Sequence, residues 1–259
     1  MLKSQVPHLA DSLDDAEAVK AVKKLDCLPL GVQLAIGILN EAKCSLEEFN
    51  EQWSTPRDVL EDGEDTSRLH SRSAPYPASL GQVYKTSISS VAAGPKLMLQ
   101  IFSILDPDNI QESKLFAQVS DSAPAEIREL SRYRLKYRRD LTVKGLVSSR
   151  TSDDAHATTT GVSMHRLLQA AVQSDMKAQN LQMAFNGAAL LVSFQMMHLW
   201  DPNSNWVKVG QLFTEFLPHV QAIHTFYYEY TKTLSSGQAQ QHQLRVPIEF
   251  IKVLHRAAS

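Results

Sequence analysis

Between Leu30 and Leu39 the sequence reads LGVQLAIGIL, in which Gln33 is the one polar residue. Pro29 precedes it, and proline suits the first turn of a helix because the missing N–H has no intrahelical partner there. The stretch predicts a helix that is apolar nearly all round. Such a helix must be covered on every side. Residues 1–28 are too few to do this, so the sequence leads us to expect a preceding domain against which this helix packs.

The bulk numbers narrow the class. A chain of 259 residues is long enough for one or two domains. Its net charge of −2 provides no global attraction to nucleic acid or anionic membrane. Cys27 and Cys44 form neither a CxxC pair nor a disulfide framework, which fits a reducing compartment and a cytoplasmic location. The opening MLKSQVPHLADSLDD lacks the apolar run of a signal peptide. The most apolar window, Met183–Trp200, is interrupted by Asn186, Gly187, Ser193, Gln195 and His198. It predicts a buried helix and no membrane span.

Most of the chain carries helical periodicity. Helices are expected over Asp14–Lys24, from Pro29 onward, and after the capping box Ser45-Leu-Glu-Glu48, with Phe49 and Trp53 on the inner face. Thr55–Pro77 is polar and reads as a short helix and linker. Ser79–Ala93, Lys96–Leu105, Ile110–Val119 and Ala125–Arg139 continue the helical pattern, with a break at LDPDNI, where an Asp-Pro pair ends one helix and Asp108 or Asn109 caps the next. Leu146–Arg150 and Thr159–Ser163 read as antiparallel strands around a polar tip at Thr151–Ala157. GVSMHRLLQAAV then places Met164, Leu167, Leu168, Ala171 and Val172 on one helical stripe, with Ser163 as its cap. Beyond it, Asn180–Leu199, Val207–Ile223, Thr225–Leu234 and Val246–His255 read as helices, with Trp200 and Trp206 flanking a turn.

The expected fold class is mainly α. A helical segment over 1–54 and a linker over 55–78 come first. A winged-helix-like module with a small β-hairpin follows over 79–176. Antiparallel helical hairpins of tetratricopeptide-like character occupy 177–259.

Three motifs, in order, carry a resemblance. LPLGVQLAIGIL resembles the Gly-Leu-Pro-Leu-Ala motif of NB-ARC-type STAND signalling NTPases. FSILDPDNIQESKLF resembles the stretch that begins their winged helix, particularly in fungal members. VSMHRLLQAAV resembles their Met-His-Asp motif in its fungal form. WVKVGQLFTEFLPHVQAI is similar to the first helices of a tetratricopeptide array. The resemblance covers about residues 16–225. It implies that Pro29 packs on adenine and His165 reaches the β-phosphate of ADP. This chain departs from the pattern at Cys27, Gly31 and Arg166, where the family has Gly, Ala and an acidic residue.

A phosphate loop needs G-x-x-x-x-G-K-[ST], so that backbone N–H groups and a lysine cradle the phosphates. Gly94-Pro95-Lys96 lacks the earlier glycine, position 89 being Ser, and Pro95 removes a donor. No hydrophobic strand ends in acidic residues for magnesium. The chain is therefore expected to be no enzyme by itself. ADP or ATP is expected only with a complete nucleotide-binding domain, and no metal site or catalytic triad has convincing spacing.

Each signal has a plainer reading. His165 and Arg166 stand in the first turn of a helix, where positive charge is disfavoured by about 0.3–1 kcal/mol. With Gln169 they lie off the core stripe, so they are either solvated or close to an anion. RYRLKYRR, from Arg132 to Arg139, has five basic residues and two tyrosines. Arg132, Arg134 and Arg138 would meet phosphates if the module bound DNA. Against this, Tyr133, Tyr137 and Leu141 recur as a packing stripe, and Glu126 and Glu129 dilute the field, so a solvated face is preferred and nucleic acid is disfavoured. The preferred function is the regulatory part of a STAND-type ATPase, a lid closing over ADP, with protein partners on the helical C-terminal region, a P-loop domain outside this chain and no membrane. The alternatives are a winged-helix nucleic-acid regulator and a helical adaptor.

Overall fold

The computed structural model describes residues 6, 15–24, 29–52, 78–150, 161–197, 206–233 and 244–257. The expected linker up to residue 77, the hairpin tip Thr151–Ala157, and Cys27, Trp53 and Trp200 lie outside the described residues. The fold is mainly α-helical, with one small antiparallel hairpin among the described residues. No described helix is long and apolar enough to cross a membrane.

Two compact units emerge. The first comprises residues 1–92 and 138–148, and the second 93–137 and 149–259. In the first, α1 (Asp15–Lys24) packs on α3 (Leu46–Gln52), and α2 (Pro29–Ala42) packs on α4 (Ala78–Ser89). The capping box forms as expected. Glu48 N–H donates to Ser45 Oγ at 3.1 Å, and Ser45 N–H donates to Glu48 Oε2 at 2.8 Å. Asn50 fastens α3 to α1, its Nδ2 donating to Glu17 Oε2 at 2.6 Å and to the Glu17 carbonyl at 3.1 Å. In α2, Ala35, Ile36 and Leu39 are buried on one face.

Helix α7 (Ala125–Val143) contributes residues to both units. It ends in a Schellman turn. Leu146 N–H donates to the Leu141 carbonyl and Gly145 N–H to the Thr142 carbonyl, both at 3.0 Å. Gly145 takes φ 69°, a left-handed conformation that a Cβ would strain.

The second unit is built around α5 (Ala93–Phe102) and α9 (Ala178–Met197), which pack on each other. Met98, Leu99, Ile101 and Phe102 are buried on α5. On α9 the small residues Ala184, Gly187, Ala188 and Ala189 are buried, which permits a close approach. A Cβ on Gly187 would stand 2.6 Å from Ile101 Cδ1 and 3.1 Å from Ile127 Cδ1. Helices α10 (Trp206–Thr233) and α11 (Ile248–Ala257) both pack on α9.

The structure corrects the expected helix bounds in two places. Ile110–Val119 is not one helix. Ile110 exchanges two 2.8 Å backbone bonds with Val162, an antiparallel bridge, and α6 is confined to Glu112–Leu115. An N–H and C=O committed to a strand partner are not available to a helix. In the other place, Val207–Ile223 and Thr225–Leu234 are a single 28-residue helix, α10, with Pro218 inside it. No glycine or proline stands at 223–225 to end it.

Gly187 and Gly210 make opposite predictions. Gly187→Val should destabilise by about 1–3 kcal/mol through overpacking. Gly210 lies inside α10, and a Cβ there would meet nothing within 4 Å. Gly210→Ala should stabilise by about 0.5–1 kcal/mol. Urea unfolding of the two variants beside the parent chain checks both signs.

Candidate functional site

The site grows from the segment Leu105-Asp-Pro-Asp-Asn-Ile110. Pro107 cannot continue a helix, and Asp106 Oδ1 accepts from Asp108 N–H at 3.1 Å, which shapes the turn. The segment then pairs with β2 (Gly161–Ser163), which itself pairs with β1 (Ser148–Arg150). Beside the Ile110–Val162 bridge, Met164 N–H donates to the Pro107 carbonyl at 2.9 Å. Asn109 Oδ1 sits 2.6 Å from where a Cβ of Gly161 would stand, so a larger residue there would displace the exposed Asn109 side chain.

These contacts deliver His165 to the start of α8 (Arg166–Asp175). Its backbone is extended, φ −69° and ψ 135°, and its ring caps the helix. Leu167 N–H donates to His165 Nδ1 at 3.3 Å. The expected cap, Ser163, is the last residue of β2, and the helix starts two residues later than expected, with His165 as its cap. With Nδ1 as the acceptor, Nε2 is the ring nitrogen left to donate. The ring is exposed, and that N–H is a donor at a helix N-terminus.

Arg166 has an anion nearby. Its Nη2 lies 3.0 Å from Asp108 Oδ2. Both side chains are well exposed, so the pair contributes at most about 1 kcal/mol. Its consequence is geometric: it ties the first turn of α8 to the 105–110 segment.

Gln169 does not face water with His165 and Arg166. It is half-buried, and its Nε2 donates to the Ser103 and Leu105 carbonyls, both at 2.9 Å. Gln173 Nε2 adds a 2.6 Å bond to the Ser103 carbonyl. The two amides satisfy carbonyls at the end of α5. Their spacing of four residues on one helical face was the available signal.

His219 on α10 is a structural anchor that sequence reasoning missed, although it stands within the LPHV stretch. It is 4% exposed, and its Nδ1 accepts from Asp106 N–H at 3.2 Å. One turn earlier on α10, Glu215 receives Lys114 Nζ at 2.7 and 2.8 Å. Two side chains of α10 thus hold the segment and α6.

Other candidates are placed as follows. Pro29 is the first residue of α2, in the first unit, whereas His165 belongs to the second. Gly94-Pro95-Lys96 forms the first turn of α5: a Cβ on Gly94 would meet the Tyr137 ring at 2.6 Å, Pro95 is buried, and Lys96 Nζ lies 3.8 Å from Asp175 Oδ2. On α7, Arg132 is exposed, whereas Arg134 and Arg138 are half-buried. Arg134 Nη1 turns back to the Ser131 carbonyl at 3.4 Å. Among the described residues, no group of three or more His, Cys, Asp or Glu is placed to hold a metal ion.

A family model described as Domain of unknown function (DUF7779) matches residues 86–181. That span contains the 105–110 segment, α7, the hairpin and His165. Among curated proteins none matches the chain.

Burial lowers the pKa of His219 below its ordinary 6.5, against the opposing pull of the Asp106 carboxylate and of a hydrogen bond with the Asn109 backbone. The folded chain therefore binds this proton less readily than the unfolded chain. The stability His219 contributes is complete above pH 6.5 and declines as the pH falls below it. Urea midpoints measured across that interval should fall with acidification, and the slope should flatten in His219→Gln. At neutral pH, His219→Ala should cost about 1–3 kcal/mol, because it leaves the Asp106 N–H unpaired.

Proposed function

We propose that this chain is a regulatory segment of a STAND-type signalling NTPase, acting as a nucleotide-state lid and a protein-interaction module without a phosphate loop of its own. The observation that carries the reading is the capping geometry of His165. With Nδ1 engaged by Leu167 N–H, Nε2–H is the ring's remaining polar group, and it stands beside the N–H groups of a helix start. Both favour an anion. The resemblance of the motif to Met-His-Asp makes that anion the β-phosphate of ADP, and the resemblance of LPLGVQLA gives Pro29 the adenine. Arg166 fits this role because Asp108 already occupies its guanidinium, leaving the imidazole as the variable contact.

In the intact protein the segment would close over ADP and open when ATP replaces it. Such a switch requires that the two nucleotides contact the lid differently. The helices α9, α10 and α11 supply the partner-facing surface, and Ile248 and Ile251 are exposed on α11 at a spacing of three residues.

Asparagine caps helices as well as any residue, so His165→Asn keeps the fold and removes the imidazole donor. In a protein that carries both a P-loop domain and this segment, calorimetry should show ADP affinity reduced about 10- to 100-fold by His165→Asn, the loss expected for a hydrogen bond to a charged group. Unchanged affinity with an unchanged melting temperature contradicts the sensor role. The chain alone should not hydrolyse ATP.

A further inference from the structure

We propose that the outer face of α7 is a docking surface for duplex nucleic acid. The sequence argued against this on two grounds, and the structure alters each in part. The first was a packing stripe of Tyr133, Tyr137 and Leu141. The inward residues are instead Ile127, Leu130, Tyr137 and Leu141, while Tyr133 is 44% exposed. The second was dilution by acidic neighbours. Glu126 stays exposed at the start of the helix, before the first cation, whereas the Oε1 of Glu129 accepts from the Tyr137 hydroxyl at 2.9 Å, which draws that carboxylate towards the tyrosine.

What remains outward is a row. Arg128, Arg132 and Lys136 are all exposed and recur every four residues. Half-buried Asp140 occupies the next position at that spacing and ends the row, and exposed Glu129 stands one turn from Arg132. At 1.5 Å per residue, four residues advance about 6 Å and the three cations span about 12 Å. Leu135, 56% exposed, and Tyr133 flank them and offer apolar contact to sugars and base edges. The charge sign calls for a polyanion. A major groove about 12 Å wide admits an α-helix, and a single row of cations along such a helix can meet successive phosphates of one strand. The chain's net charge of −2 adds no long-range attraction, so binding is local, sequence-independent and sensitive to salt. This proposal is independent of the nucleotide-lid reading.

The test is fluorescence anisotropy of a labelled mixed-sequence duplex DNA titrated with the full chain over a series of salt concentrations. Three phosphate contacts predict a slope of log K against log salt of about −2 to −3. The double variant Arg132→Ala, Lys136→Ala should make that slope shallower by about 2 units. A charge-matched control, Lys232→Ala, Lys252→Ala, removes exposed cations from α10 and α11 and should leave it unchanged. Circular dichroism should show both variants folded, since the altered side chains are exposed. The proposal is overturned if duplex DNA does not bind at low salt, or if the control loses as much as the row variant. It is also overturned if polyglutamate or phosphatidylserine vesicles bind through the row while the duplex does not.

Discussion

The second unit depends on how the backbone of residues 105–110 is satisfied. Leu105, Pro107 and Ile110 are buried, and buried main-chain groups must find partners. Here the partners come from several elements. Val162 pairs with Ile110, Met164 donates to Pro107, Gln169 donates to Leu105, and His219 accepts from Asp106. No single helix could supply this set. The strand, α8 and α10 are held in mutual register because each closes a different part of the same segment.

That register determines the geometry from which function is inferred. Val162 and Met164 stand on either side of Ser163, so fixing both leaves little freedom in the two residues that follow. His165 emerges where its ring can cap α8, and Arg166 emerges within reach of Asp108. The proposed phosphate contact and the structural staple are therefore coupled through one short stretch of chain. A change in α10 at His219 would be felt at His165 through the 105–110 segment, which is a physical route between the helical C-terminal region and the proposed nucleotide contact.

Much of this was legible in the sequence because it followed from local rules. The mainly α architecture, the capping box at Ser45, the position of Pro29 and the hairpin around residues 148–163 came from periodicity, caps and breakers. What escaped depended on non-local pairing. Ile110 carries no local sign that it bridges to Val162, fifty-two positions away. His165 caps α8 in place of Ser163 because Met164 N–H is committed to the Pro107 carbonyl, a pairing with no local sign. The side chain of Gln169 read as lying off the core until the open carbonyls after α5 were located. Arg134 and Arg138 looked equivalent to Arg132 in a run of basic residues, and only the rotation of α7 about its axis separates the exposed cations from the half-buried ones.

The account stands on the 105–110 segment being a fixed part of the folded unit. Native-state amide hydrogen exchange tests this directly at Asp106, Ile110, Val162 and Met164. The predicted result is that these four amides open together, with protection comparable to the buried amides of α5 and α9. Exchange at near-unprotected rates for these four, with α5 and α9 still protected, would contradict the account.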